Sequence, residues 1–120
     1  MPRAQDLIAT AYQRFISEVP ALDKLKIVVR LELRGRGDVQ VFGVQLPGPE
    51  VTKGEPEDPR IIITTPRSFF NELASDGTLA DWREAYEHGH VKVGGDPAVL
   101  KLIGTVIERH EARARLRKAH

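Results

Sequence analysis

The apolar residues of this chain change their spacing several times, and each change predicts a new element. Near the N-terminus they recur every three or four residues, which predicts an amphipathic helix that ends near Pro20. Its apolar positions are Leu7, Ile8, Ala11, Tyr12, Phe15, Ile16 and Val19. Over residues 25–33 apolar and charged residues alternate, which predicts a strand with one buried face. A turn over 34–38 then leads to a second strand over 39–46, and the two strands form a predicted antiparallel hairpin.

The middle of the chain predicts two further strands. The second strand changes phase at Gly43, which indicates either a β-bulge or a strand covered on both faces. The acidic, proline-rich segment over 47–59 is expected to be a loop that holds a short edge strand at Val51 and Thr52. A β-branched run over 60–65 follows and predicts a buried strand.

The C-terminal part combines helices with one short strand. A helix over 66–77 and a second helix over 79–89 precede an alternating strand over 90–93. Asp96 and Pro97 open the last helix, because Asp can cap free amide groups and Pro is tolerated at the first helical position. The order of elements predicts a single α+β domain over residues 1–120, with helices on one face of the sheet.

Composition limits the classes of protein that remain. The chain has 120 residues and no cysteine, which excludes disulfides and cysteine-ligated metals. The 18 basic and 17 acidic side chains almost cancel, so no overall charge attracts polyanions. The N-terminus does not have the pattern of a signal peptide, and no apolar run approaches the roughly 18 residues of a membrane span. We therefore expect a cytoplasmic protein.

Basic residues gather in the last turns, at Arg113, Arg115, Arg117 and Lys118. They can complement the negative end of the helix dipole, or they can contact nucleic acid or an anionic lipid surface. Because the stripe is short and has no interleaved aromatic residues, the sequence favours the first interpretation. A nucleic-acid partner is not expected, and a transient contact with a membrane surface stays open.

No motif predicts catalysis. Glu84 and His88 share a helical face, but His90 follows a chain reversal, so a zinc site would be incomplete. Gly-rich phosphate loops and the serine nucleophile elbow are absent from the sequence. We expect no enzyme activity, no catalytic residue, no metal and no cofactor.

The helices over 66–89 contain several large apolar residues. Because short helices pack less continuously than long ones, they could form the walls of an apolar cavity, although aromatic residues at helical spacing are more often part of a closed core. In the last helix Gly104 lowers helix propensity by about 1 kcal/mol relative to Ala. It marks a close neighbour, room for a ligand, or a tolerated glycine.

Two segments resemble the sterol carrier protein 2 (SCP2) family. Residues 62–75 are similar to the family's strand that ends in Thr and its helix with a central Phe, and Phe70 falls on that position. Residues 85–96 are similar to its pattern Ala-Phe-x-x-Gly-Lys-Leu-Lys-Val-x-Gly-Asp, with Tyr86 at the Phe position and His90 at the first Lys position. The resemblance is specific over about residues 60–107, and a stand-alone bacterial or archaeal member is expected.

The resemblance implies a five-stranded, mainly antiparallel sheet with helices packed on one face around an apolar tunnel. It also implies non-catalytic binding or transfer of a lipid, such as a fatty acid, a fatty acyl-CoA, a sterol-like molecule or an isoprenoid. The expected lining residues are Phe70, Leu73, Trp82, Tyr86, Leu100, Ile103 and Ile107. The alternative is an accessory or dimerisation module that serves a lipid-metabolising enzyme or complex. Either role is compatible with a monomer or a homodimer.

Overall fold

A computed structural model describes residues 3–118. The helices are α1 Ala4–Glu18, α2 Arg67–Ala74, α3 Leu79–Glu87 and α4 Pro97–Lys118, with a 3-10 helix at Pro20–Lys24. The strands are β1 Val28–Arg34, β2 Val39–Gln45, β3 Glu50–Lys53, β4 Ile61–Pro66 and β5 Lys92–Gly95. Apart from the 3-10 helix, which was not predicted, the order of elements along the chain is the one that the sequence predicts.

The five strands form one mixed sheet in the order β3-β2-β1-β4-β5. Three neighbouring pairs are antiparallel, and β1 and β4 run parallel to each other. In this register Leu31 lies between Phe42 on one side and Ile63 on the other. The predicted α+β architecture with a mainly antiparallel five-stranded sheet is confirmed.

The two faces of β1 have opposite chemistry. Leu31 and Leu33 belong to the main hydrophobic core, which also contains residues of α1 and α2. The alternate positions Arg30, Glu32 and Arg34 lie on the outer face and form ion pairs there, with Arg30 also donating two hydrogen bonds of 2.8 Å to Glu55. The period-two pattern of this strand therefore determines which face of the sheet the helices cover.

The phase change at Gly43 reflects coverage on both faces of β2. The pairing of β1 with β2 is continuous across Gly43, so the strand has no bulge. Phe42, Gly43 and Val44 are all buried. Pro56 from the loop after β3 covers Gly43 so closely that a Cβ at this position would lie 2.8 Å from the Cβ of Pro56. The loop thus requires glycine in the strand beneath it.

The strand predicted over 90–93 was placed two residues too early. Gly89 ends α3 with a positive φ of 78°, as expected, but the amides of His90 and Val91 both donate to the carbonyl of Ala85. These amides close the end of the helix, so sheet pairing starts only at Lys92. The predicted start of α4 is confirmed, since the Asp96 carboxylate accepts a hydrogen bond of 2.9 Å from the amide of Ala98.

Candidate functional site

An apolar seam runs between three helices on the inner side of the sheet. We call it the helix seam and define it by its half-buried side chains, which come from α1, α3 and α4: Phe15, Ile16, Trp82, Ile103, Val106 and Ile107. Ile103 packs against both the main core and a second cluster formed by Val19, Leu22 and Leu79. The seam therefore joins the two apolar clusters of the molecule.

Helix α4 is the least sealed wall of the seam. Its inward positions Val99, Leu100, Ile103, Val106 and Ile107 are all aliphatic, yet none of its side chains over 97–117 is fully buried. The much shorter α2 buries Phe70 and Ala74. Local stability falls as buried apolar contacts become fewer, so we expect α4 to open more readily than an element with a sealed face.

Trp82 lies at the meeting point of α1, α2 and α3. Its ring centroid is 5.7 Å from that of Phe15 and 5.9 Å from that of Phe70, and both pairs are tilted. Edge-on and tilted aromatic pairs at this distance are attractive. Trp82 is half-buried, so its indole reports on any change in the seam.

An ion-pair network connects α3 with α4 beside the seam. The Arg83 guanidinium contacts the carboxylate of Glu111 on α4 and that of Glu87 one turn later on α3. All three side chains remain partly accessible to water, and exposed pairs of this kind contribute little to stability. The network bridges the two helices at their surface and contributes little to holding them together.

The structure brings together five of the seven residues expected to line a tunnel. Phe70 is buried, and Trp82, Leu100 and Ile103 pack against the same core cluster, while Ile107 packs against the second cluster. The structure does not bring Leu73 and Tyr86 into either cluster. Tyr86 is 55% exposed, although it follows Trp82 by one turn of α3.

Sequence reasoning missed the contribution of α1 to the site. The helical spacing puts Phe15 and Ile16 on its apolar face, and the structure shows that this face reaches Trp82 and the second cluster. The helical spacing indicated that these side chains are inward. It could not indicate which helix they meet, because that depends on tertiary packing.

Gly104 lies on α4 with open space beside it. A Cβ at this position would meet no atom within 4 Å, so close approach of a neighbour does not explain the glycine. Of the three interpretations, room for a ligand and a tolerated glycine remain.

Two open hollows, of about 220 and 380 Å³, lie away from the seam near the outer face of the sheet and the acidic loop. They share Val28, Gln45 and Asp58, and the larger one also contains Pro56 and Glu57. Neither contains any of the seven expected lining residues. Their charged rims suit water better than an acyl chain, so we place the candidate site at the helix seam rather than in either hollow.

Burial raises the pKa of the Tyr12 phenol, and the nearby Asp23 carboxylate raises it further. The Tyr12 hydroxyl has no hydrogen-bond partner among residues 3–118. It is therefore an available donor at the apolar face of α1.

The two histidines that first suggested chemistry have structural contacts. The His90 ring stacks on Phe69 at a centroid distance of 4.7 Å, and its carbonyl accepts a hydrogen bond of 3.0 Å from the buried Thr65 hydroxyl. The His88 ring lies 6.4 Å from that of His90. Over the described residues, no three His, Asp or Glu side chains are grouped as metal ligands.

Among the helices formed by residues 3–118, none combines the length and the apolar character that a membrane crossing requires.

Comparison with known proteins gives structural matches only. No family model matches the chain, and no curated protein matches it. Sterol carrier protein 2 like 2 from Aedes aegypti superposes with a TM-score of 0.56 at 21% identity, over 83% of this chain and 95% of that one. Sterol carrier protein 2 from Aedes aegypti in complex with palmitate gives 0.57 at 17% identity, over 86% and 93%. The ubiquinone synthesis protein UbiJ-SCP2 gives 0.51 at 17% identity, over 92% and 96%.

These matches extend over most of each chain and agree with the resemblance of residues 62–75 and 85–96. The expected architecture is confirmed in its strand number and its covered sheet face. The chain has the SCP2 fold.

Proposed function

We propose that this chain is a member of the SCP2 family that binds a lipid with a long apolar chain and carries it without chemical change. The proposed site is the helix seam together with Phe70 and Leu100. Leu73 and Tyr86 stay predictions as lining residues.

The observation that supports the proposal most strongly is the incomplete burial of α4. An aliphatic helix face in a closed core would contain fully buried side chains, as β1 does at Leu33. The corresponding positions of α4 are half-buried instead. A ligand chain between α4, α1 and α3 would remove that apolar surface from water.

Burial of an apolar chain can by itself supply the free energy of binding at such a site. Each buried methylene contributes about 0.8 kcal/mol, so a chain of about a dozen carbons offsets the entropy lost on association. The proposed lining is aliphatic and aromatic, and such side chains bury a ligand but do not transfer protons. A carrier needs no more than this.

The structural matches favour the same ligand class. One match is a complex of a sterol carrier protein 2 with the C16 fatty acid palmitate. We infer that a saturated chain of this length is a suitable first probe for the present protein. The Tyr12 hydroxyl, which is buried and has no partner among residues 3–118, is a candidate donor to a ligand oxygen.

A palmitate titration of delipidated protein tests the proposal, with Trp82 emission as one signal and native mass spectrometry as the second. We expect saturable binding at one site. The variant Ile103→Phe should weaken binding at least about tenfold, which corresponds to the loss of about two buried methylenes of ligand.

The matched control is Leu102→Phe, one residue away on the outward side of α4, where Leu102 is 51% exposed. It should bind palmitate like the parent protein. Equal binding by both variants would place the ligand elsewhere. Absence of binding, together with no lipid retained from expression, would contradict the carrier proposal.

A second candidate function is a module that assists a lipid-metabolising complex. It is favoured by the structural match to a ubiquinone synthesis protein. Under this alternative the protein purifies without lipid and gains stability only with a partner protein, which thermal unfolding of the chain with and without a cell extract would show.

A further inference from the structure

The distal half of α4 has an exposed row of arginines that the carrier function does not use. Arg109, Arg113 and Arg117 are four residues apart and therefore lie on one face of the helix. All three are exposed, and Leu116 between the last two is 63% exposed. We call these four residues the basic stripe.

The basic stripe has no acidic partner in the described part of the chain. Over residues 3–118, no acidic side chain lies within 4.0 Å of these three arginines. The helical period places Glu108 and Glu111 on other sides of α4, and Glu111 already pairs with Arg83. Residues 108–118 contain five of the 18 basic side chains and two of the 17 acidic ones.

The helix dipole does not explain the stripe. A cation interacts favourably with the dipole only within the last turn of a helix. α4 ends at Lys118, so Arg109 and Arg113 lie outside that turn. Like charges four residues apart also destabilise an isolated helix. An external anionic partner would remove this repulsion.

We propose that the basic stripe docks the protein on an anionic lipid bilayer. The arginines would contact lipid phosphates, and Leu116 would enter the headgroup region. Clusters of arginine on a helix are attracted to anionic lipid surfaces, and an exposed leucine among them can bury its side chain in the headgroup region. RNA fits less well, because residues 104–118 contain no Phe, Tyr or Trp on which a base could stack, and their one imidazole, that of His110, is half-buried.

The position of the basic stripe links the membrane contact to the helix seam. Ile103 and Ile107 of the helix seam lie on the preceding turns of the same helix. A bilayer bound to the distal half of α4 would therefore bring the seam close to its surface. This surface contact does not depend on the proposed ligand, since it requires only the exposed side chains of the basic stripe.

Vesicle co-sedimentation tests the docking surface. The full chain is mixed with vesicles of phosphatidylcholine containing phosphatidylglycerol, and with vesicles of phosphatidylcholine alone, at low and high salt. We expect binding to the anionic vesicles that weakens with salt. The variant Arg109→Glu, Arg113→Glu, Arg117→Glu should bind about a hundredfold more weakly, since each cation at such a surface contributes about a factor of five.

The matched control reverses three exposed cations elsewhere, as Arg36→Glu, Lys53→Glu, Lys92→Glu, and so changes the net charge equally. Parent-like binding by this control is expected. Equal loss in both variants, equal binding to neutral vesicles, or tighter binding to single-stranded RNA than to anionic vesicles would overturn the proposal. Circular dichroism verifies that both variants are folded.

The palmitate titration separates this proposal from the proposed function. The stripe variant should lose vesicle binding and keep its response at Trp82. Loss of the Trp82 response alone, in any variant, would count against the ligand site in the helix seam. It would not contradict the proposed docking surface.

Discussion

The β1 side of the core and the α4 side of the helix seam are built from the same kinds of residue but are packed differently. Leu33 on β1 is 0% exposed, and Leu31 beside it is also buried. Ile103 and Ile107 on α4 are equally apolar but half-buried. Strands on both sides fix the side chains of β1, whereas α4 has neighbours on one side only. Apolar composition alone therefore does not distinguish a closed core from a surface that can admit a ligand.

The largest expected difference between the two regions concerns the free energy of unfolding. Leu33→Ala leaves a cavity in a closed core and should lower it by about 3 kcal/mol, near the middle of the range for such changes. Ile103→Ala removes half-buried atoms and should cost about half as much. Urea unfolding measures both. Equal losses would show that α4 is sealed like the sheet.

Hydrogen exchange should show the same contrast along the backbone. We expect amides over 99–107 to be protected at least about tenfold less than those of β1, because helices held by few buried contacts open locally. Saturating palmitate should raise protection in α4 and leave β1 unchanged. Protection of α4 at the level of β1 without ligand would contradict the comparison.

The loss of folding stability at low pH should originate on the outer face of the sheet rather than in the helix seam. Hydrogen bonds from Arg34, and to a smaller extent from Arg30, lower the pKa of the Glu32 carboxyl below its usual value of 4.5. A lowered folded-state pKa adds stability that is fully present above pH 4.5 and is lost as the pH falls through the folded pKa.

Glu32→Gln should therefore lower the free energy of unfolding by about 1 kcal/mol at pH 7, and the difference from the parent protein should shrink below pH 4.5. Urea unfolding at pH 7 and at pH 3 measures it. A difference that is the same at both pH values would exclude Glu32 as the titrating group.

The smallest expected effect is at Gly104. Gly104→Ala places a methyl group in open space and should raise the free energy of unfolding by about 0.5–1 kcal/mol. If the glycine leaves room for the ligand, the same variant should bind palmitate more weakly. Stabilisation with unchanged binding would identify Gly104 as a tolerated glycine.

The sequence predicted elements better than contacts. Alternation over 25–33 predicted β1 and its buried face, because period two is a local property of the chain. The turn after α3 was harder, since its amides donate to Ala85 and delay the start of β5. The cover over Gly43 comes from Pro56, a residue outside the strand. The hydrophobic pattern of the strand therefore left both a β-bulge and a strand covered on both faces as alternatives.

The candidate site was predictable to a similar degree. Helical spacing selected Trp82 and Ile103 as inward residues, and the structure brings both to one cluster. The same spacing could not show that Tyr86 would remain 55% exposed, or that Phe15 would meet Trp82. Both depend on how the helices are arranged in space, which local periodicity does not contain.

The most direct test of the lipid-binding site is photo-crosslinking with a palmitate analogue that has a diazirine near the middle of its chain. The crosslinked residues are then identified by mass spectrometry of peptides. We predict adducts on the peptides that contain Trp82 and Ile103, and their loss with excess palmitate. Adducts confined to the hollow around Gln45 and Pro56 would contradict a site between the helices.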